Sequence, residues 1–540
     1  MSRWSRYWFA DGGRYALAIL RVAIASAALL TLHELRQRWP IDAPGSPLWN
    51  GAYRPIGVWL VLGHHVPPPA LVSALWLLAW IGTVMLLVGL ATRFAAAVAF
   101  VAGVAIASLS YSAAPSWSHQ YNVIYLALLA FQGARGGDAL ALDALIRRLR
   151  GLPAYDLARG YQWSIRLVQI AVAVMFASGM WTKIFQDHTL TLRWALSDNL
   201  RHQMLVRYDL KGLSRPPIVD WLIDDAWRFR TVAALNLISQ ILPLVACFMM
   251  KRPLVRAACG AFFAVETIGL GDVMQLWNLY WLPLVAVFVD WDALLARLRI
   301  IQAKPRDEDR AWRPPRGPFY FILAFVAYDA FAAFVPDMDQ RLDSYPISRF
   351  PMFAVIRARE PYGEHLPYSV AGAKFELIAD RPVDADWLEV SYPTIAQTRD
   401  AGELQKKLEG MLGHARARFP DANVRGVRVY LSIFETPAYP EPARFTAQHI
   451  ALIGELDGAD FRTLLGSSRE ADDQIEVRAR PLGVDATGAQ LAYFADDVPE
   501  PHPLAGWTFA RGDLRGDPVD FVATAGGRTW LVESTRAYRK

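Results

Sequence analysis

The chain has 540 residues, 54% of them hydrophobic and 20% charged, with a mean hydropathy of +0.18. That balance excludes an ordinary soluble protein of this size and equally a chain built only of membrane spans, and the apolar runs crowd into roughly the first 335 residues. The net charge of +5 would suit a nucleic-acid partner, but the basic residues flank apolar runs, where they act as topology signals; no nucleic-acid partner is expected.

In chain order, "MSRWSRYWFADGGRYALAILRVAIASAALL" imitates a cleaved signal peptide, yet Arg21 interrupts the apolar stretch, which then runs on to Leu32. It is read as an uncleaved first span. Apolar windows predict spans near 15–35, 71–91, 94–112, 119–133, 163–185, 231–250, 255–271, 274–290 and 318–336, about nine in all. With the N-terminus inside, Arg93, the arginines of 133–162, Lys251, Arg252 and the dense set from Arg297 to Arg316 all fall on the cytoplasmic side. The turns at 113–118 and 272–273, on the other side, contain no Lys or Arg. Residues 337–540 are then exterior, in the periplasm if the host is Gram-negative. Two long outer loops, 36–70 and 186–230, would lie over one mouth of the bundle, the second including a helix suited to the membrane surface. Beyond residue 336, short apolar strands such as "VRVYLSIFET", "FTAQHIALIGEL" and "DFVATAGGRTWLVES" surround a helix near 401–418. The fold class is thus a polytopic α-helical membrane bundle, residues 1–336, followed by an exterior α+β or β-rich soluble domain, residues 337–540.

Chemistry is sparse. The two cysteines, Cys247 and Cys259, flank the basic turn "KRPLVR" and suggest neither a disulfide framework nor a thiolate site. No His, Asp and Glu spacing matches a zinc motif, since "HELRQ" lacks a second His, and no metal is expected. Gly-rich phosphate loops and a nucleophile elbow are likewise missing. What remains are ionisable residues at membrane depth: Arg21, Lys183, Glu266 and Asp329, each costing about 2.5–3.5 kcal/mol to insert. Arg21 either pairs with Glu266 or Asp329 inside the bundle or faces a ligand. Asp329 reads as a satisfied interior carboxylate. Lys183, near the outer end of its span in "FASGMWTKI", either snorkels to the headgroups or is buried beneath the outer loops. Burial would favour the neutral amine, which takes up a proton at about pH 7. Spacing alone leaves both readings open.

The membrane half resembles the HTTM (horizontally transferred transmembrane) family, and within it the membrane domain of vitamin K-dependent γ-glutamyl carboxylase. "LAILRVAIASAALL" with "HELRQRW", "LVGLATRFAAAVAF", "SWSHQYNVIYLALLAFQ" followed by "LALD", "FASGMWTKI" and "LPLVAVFVDWD" resemble family segments in order and spacing over about residues 10–295. The resemblance implies a site for vitamin K hydroquinone or a related quinol, with Lys183 as the base that deprotonates it. Oxygen then converts the quinol to an alkoxide that removes a γ-proton from a peptide glutamate, carbon dioxide adds to the carbanion, and the vitamin leaves as its epoxide. The family lysine step is one residue shorter than this one. Where the carboxylase has a histidine after its "SW" segment, counting back from "LLAF" reaches Asn122, and counting forward from Trp117 reaches Gln120, beside His119. His119 and Asn122 are three apart and share a helix face, but an asparagine positions an oxygen without accepting a proton. Arg21, Trp117 and Trp181 complete the expected cofactor-binding set.

Two functions follow as expectations. The first is a bacterial inner-membrane protein with a lipid-soluble quinol site at its outer mouth, extending to vitamin K-linked oxidation or carboxylation (a lyase) of an extracytoplasmic peptide or protein. The alternative is a non-catalytic membrane module that presents its exterior domain to a partner.

Overall fold

The computed structural model describes residues 3–334 apart from 10–11, 39–40, 42–52, 54, 63–64, 114–118, 154–159, 187–188, 209–213, 250 and 302–314. In the C-terminal part it describes 345–346, 368–383, 385, 401–436, 439–440, 446–463, 479–481, 507–514, 517–525 and 528–534.

The first half is helical. Short α1 (Arg3–Phe9) leads into α2 (Arg14–Arg38), α3 (Trp59–Leu62) and the hairpin of α4 (Pro69–Val88) and α5 (Thr92–Ala113). A 3-10 turn, His119–Tyr121, opens α6 (Asn122–Ala130); α7 (Leu142–Leu149) and α8 (Gln162–Ile184) follow. A two-stranded ribbon, β1 (Phe185–Gln186) and β2 (Thr189–Leu190), precedes α9 (Arg193–Leu196), α10 (Asn199–Tyr208) and α11 (Pro217–Ile223). Then come α12 (Ala226–Phe248), α13 (Pro253–Met274), a 3-10 helix (Leu279–Phe288), α14 (Trp291–Arg297) and α15 (Arg316–Phe334).

Seven of these, α2, α4, α5, α8, α12, α13 and α15, are long and apolar enough to cross a membrane; the Leu279–Phe288 and Trp291–Arg297 pair, bent by 72°, would make an eighth. The sequence predicts nine. The windows at 119–133 and 274–290 form helices of only nine and ten residues. Nine α-helical residues extend about 14 Å, half of a bilayer core. Their hydropathy has another cause: α6 is almost wholly buried, as are Tyr280, Trp281, Leu284, Val287 and Phe288. A hydropathy window does not separate a residue facing lipid from one sealed among helices.

The core is built on α8, which packs against α12, α15, α6 and the 3-10 helix. Half of its buried residues from Leu167 to Gly179 are Ala or Val, and with Ser178 and Gly179 they are small enough for neighbouring backbones to approach. Large apolar side chains instead cover the outer faces of α4, α12, α13 and α15, among them Leu77, Ile238, Val265 and Leu323. Exposed side chains of this size fit a lipid environment better than water. The α10 helix differs from its expected place on the surface. Asn199, Arg201, His202 and Gln203 are all buried, because α10 is wedged between α9, α11, α12 and α13.

The C-terminal part holds α16 (Ala401–Arg418) and the strands β3 (Tyr368–Ile378), β4 (Gly426–Thr436), β5 (Thr446–Asp457), β6 (Asp460–Thr463), β7 (Ala479–Pro481), β8 (Trp507–Leu514), β9 (Asp517–Ala525) and β10 (Arg528–Ser534). They form one mainly antiparallel sheet in the order β7-β6-β5-β4-β3-β10-β9-β8, with parallel pairing at β3–β10 and β6–β7. The apolar face of α16 (Leu404, Leu408, Met411, Ala415) packs on β4 and β5. Leu404 fits because Gly454 has no side chain: a Cβ there would lie 2.7 Å from its methyl carbon. Glu455 is buried between Arg428 and Arg462 and is thereby matched in charge.

Arg21 is fully buried, but not against Glu266 or Asp329. Its guanidinium donates to the carbonyls of Gly136 (2.9 Å) and Leu140 (2.5 Å), with Leu87 O at 3.4 Å, stitching α2 to the end of α4 and to the 133–141 segment. Gly89, at φ +73°, closes the α4 helix, and a Cβ there would lie 2.3 Å from the same guanidinium. Both features serve one junction. Arg21→Met should therefore cost on the order of 3 kcal/mol, the value of two or more buried hydrogen bonds from a charged donor. Thermal unfolding in detergent reads it, and an unchanged midpoint would remove Arg21 from this role.

Candidate functional site

Lys183 stands one residue from the end of α8 and is 1% exposed, so it does not snorkel. After α8 the chain turns back through β1 and β2, with Phe185 paired to Leu190 and Thr191 N donating to Ile184 O at 2.7 Å. This reversal carries α9 over the lysine. Trp194 offers its ring face to the ammonium, Nζ lying 4.4 Å from the ring centroid.

The other ligands of Nζ come from α12. In "LNLISQIL", Asn236, Ser239 and Gln240 are spaced by three and four residues and share one helix face. Lys183 Nζ donates to Asn236 Oδ1 at 2.8 Å and to Gln240 Oε1 at 3.1 Å. Asn236 Nδ2 in turn donates to Glu266 Oε1 on α13 at 2.7 Å. One asparagine thus joins the ammonium to the carboxylate. Moving a single proton between Lys183 and Glu266 turns an ion pair into a neutral amine and a carboxylic acid, with no change in net charge. That exchange suits an interior where net charge is expensive.

This polar seam borders a cavity of about 210 Å³ with walls from α9, α10, α12 and α13. Leu200, Met204, Leu270 and Met274 line one part of it, and Leu235, Phe262 and Val265 another. The latter three are exposed on the outside of the bundle, Val265 to 65%. The cavity therefore opens sideways, between α12 and α13, onto the surface that would face lipid. Gly269 also lines it, and nothing lies within 4 Å of where its Cβ would be. An amphiphile with an apolar body and a hydroxyl or carbonyl head fits this arrangement.

The expected site residues do not assemble as one site. Of the set, Lys183 alone lines the cavity. His119 is half-buried in the 3-10 turn and Asn122 is buried at the start of α6; α6 packs on α8, but neither side chain lines the cavity. Their segment is engaged elsewhere, with Gln120 O accepting from Trp281 Nε1 at 2.8 Å and Tyr121 tilted against Tyr280. Trp181 stacks on Phe185 with centroids 4.9 Å apart and meets Phe334 edge-on. Arg21 belongs to the junction described above, and Trp117 lies outside the described residues. Asn236, Gln240 and Trp194 were not foreseen. The polar spacing in "LNLISQIL" carried the signal for the first two. Among the described residues no group of three or more His, Cys, Asp and Glu is placed to hold a metal.

The roof of the cavity also meets the C-terminal part. Asp198 accepts from Arg230 at 3.2 Å and from the backbone N–H of Tyr439 at 3.0 Å, while Phe229 packs edge-on against the Tyr439 ring.

Compared with protein-family models, with curated proteins and with solved structures, the chain matches none.

A double-mutant cycle tests the seam. Lys183→Met alone leaves Glu266 buried without its counter-charge, and Glu266→Gln alone leaves the ammonium, so each single variant should destabilise the fold by about 3 kcal/mol. The double variant should recover most of that loss, a coupling of at least about 1 kcal/mol. Strictly additive unfolding energies would show that the two groups do not answer one another.

Proposed function

We propose that this is an integral membrane protein of the HTTM kind that binds a lipid-soluble quinol through Lys183 and acts on it by removing a proton. The N-terminus lies inside, and residues 337–540 lie outside the cytoplasmic (inner) membrane. Support comes from the seven membrane-length apolar helices, from the sequence resemblance over residues 10–295, and above all from one observation. Lys183 is buried at the end of an apolar cavity that opens between two apolar helices.

In this reading the quinol ring arrives from the lipid between α12 and α13, passing Val265 and Gly269. Its phenolic oxygen comes to Lys183 Nζ, displacing one of the two amide contacts, and its proton passes to the neutral amine. The ammonium so formed is matched by the quinolate it leaves, Glu266 staying protonated behind Asn236, and the dry walls strengthen that ion pair. With vitamin K hydroquinone and oxygen the balance is one quinol and one O₂ in, one epoxide and one water out. A peptide glutamate is the acceptor in the carboxylation form of the proposal. Its approach would be from the side where Tyr439 meets Asp198. The neutral polar side chains at hand for the quinol oxygens are Asn236, Ser239 and Gln203; His119 and Asn122 do not border this cavity.

The same Tyr439 contact favours the second reading, a module in which the membrane half holds the sheet in place for a partner. One experiment separates the two. Purified protein is incubated with vitamin K hydroquinone and oxygen, and the epoxide is measured by chromatography. Wild type should form it, and Lys183→Ala should lower the rate by about 10²-fold or more, the usual weight of a general base. Gly269→Leu should fold normally and bind the quinol poorly, because its side chain occupies the opening. Equal turnover by wild type and Lys183→Ala would reject the assigned base, and no epoxide from wild type would favour the module.

A further inference from the structure

A cavity larger than the one at Lys183 lies at the other end of the bundle. Gly12 adjoins Gln162, at the start of α8, so the first residues of α2 and α8 share one end, while Lys183 ends α8 roughly 30 Å away. The cavity there measures about 470 Å³ and is lined by Arg14, Arg93, Arg135, Arg147 and Arg148. Among the described residues the acids in its wall are Asp138 and Asp143, against the five arginines. Both acids already serve the fold. Asp143 accepts from Ala91 N at 2.7 Å, Thr92 N at 2.9 Å and Thr92 Oγ1 at 2.8 Å. Asp138 accepts from Tyr161 Oη at 2.8 Å and lies 3.3 Å from Arg135. The described wall thus carries more arginines than acids, in a concave site of a size to take a phosphate-bearing group.

An independent feature adjoins it. On α7, Asp143, Ala144, Arg147 and Arg148 face the cavity, whereas Leu145, Ile146 and Leu149 face away and are exposed, Leu149 to 77%. Leu152, just beyond, is exposed as well. Asp143 fixes the depth of this helix, because its N–H donates to Gly89 O at 2.9 Å and its carboxylate grips Ala91 and Thr92. That is the turn where α4 ends and α5 begins, hence the level at which two apolar spans leave the hydrocarbon. Here an apolar edge and an arginine-lined cavity stand side by side at headgroup depth.

We infer that this cavity binds the phosphodiester head of an anionic glycerophospholipid, whose acyl chains run along the leucine edge of α7. A soluble phosphate would use the arginines but leave the leucines in water; a zwitterionic lipid would cover the leucines but gain less from the arginines. The anionic lipid uses both. The inference rests on the membrane placement proposed above, not on the quinol reading.

The test uses the full chain, delipidated in detergent, with native mass spectrometry of bound adducts. Phosphatidylglycerol is the probe, phosphatidylcholine the neutral control and inorganic diphosphate the lipid-free anion. Phosphatidylglycerol adducts should persist where phosphatidylcholine is lost. Arg93→Gln with Arg148→Gln should weaken them about tenfold or more, whereas Arg150→Gln, outside the cavity, should leave them unchanged. Leu145→Ser with Leu149→Ser should weaken the lipid without altering diphosphate binding. Equal retention of the two lipids, adducts indifferent to the arginine pair, or adducts indifferent to the leucine pair would each overturn the inference. If the arginine pair fails to fold, the two-lipid comparison on wild type still decides. Alkaline carbonate extraction separates the premises: release from membranes refutes the placement, while retention without phosphatidylglycerol preference refutes only the lipid site.

Discussion

A buried ammonium imposes a polar seam on a bundle that is otherwise apolar. Placing a charged side chain at membrane depth costs about 2.5–3.5 kcal/mol. The two amide acceptors recover roughly 0.6–1.7 kcal/mol each on the scale measured between membrane helices. A face-on tryptophan adds about 0.5–2 kcal/mol. The sum roughly breaks even, so stability by itself gives little reason for the arrangement. Yet four segments are committed to it: the end of α8, the reversal through β1 and β2 that delivers Trp194, one face of α12, and Glu266 of α13. A bundle that needed only to be stable would do as well with leucines at these positions.

Arg21 makes the comparison sharper. It is as deeply buried as Lys183, but its guanidinium meets backbone carbonyls at a helix junction and does not line the cavity beside Lys183. Its planar fork suits several fixed carbonyls at once, and its charge is permanent, so it makes a good staple and a poor base. Lys183 has a compact head that can lose a proton, partners that are themselves side chains, and space beside it. Two buried cations in one bundle thus have opposite designs. Burial alone did not distinguish them; the identity of the acceptors and the adjoining volume did.

Much of this was legible in the residues, and what was not failed for definable reasons. Long apolar windows marked every helix of membrane length, because length and hydropathy together carry that signal. The strands around "VRVYLSIFET" and "FTAQHIALIGEL" appear as β4 and β5. The short, sealed α6 looked like a span because interior and lipid select the same side chains. For Arg21 the residues offer a carboxylate or a ligand; its acceptors are backbone carbonyls, which are invisible in a sequence. Lys183 could be singled out as an intramembrane lysine, while its burial depended on α9 and α10 folding back over it. The His119 and Asn122 expectation rested on counting from flanking motifs, which fixes position along the chain and not the cavity a side chain borders. The spacing of Asn236, Ser239 and Gln240 was available throughout; amides in a span draw less notice than charges, although they too must find partners.

The two ends of α8 give the molecule a polarity. At one end stand five arginines around a cavity, four of them in helices, on the side that the proposed orientation assigns to the cytoplasm. At the other lie Lys183, its roof of α9 and α10, and the Asp198–Tyr439 contact through which the C-terminal part touches the bundle. Under the proposed orientation the sheet, the lysine and the sideways opening share the outer half. A ligand that partitions into lipid reaches Lys183 without crossing water, and a polypeptide held by the sheet reaches the same region without crossing lipid. The Asp198 carboxylate, shared between Arg230 of α12 and the backbone of Tyr439, is one place where the two parts meet. The same α12 carries Asn236 and Gln240, so one helix presents both the acceptors of Lys183 and the arginine that meets Asp198 beside the C-terminal part.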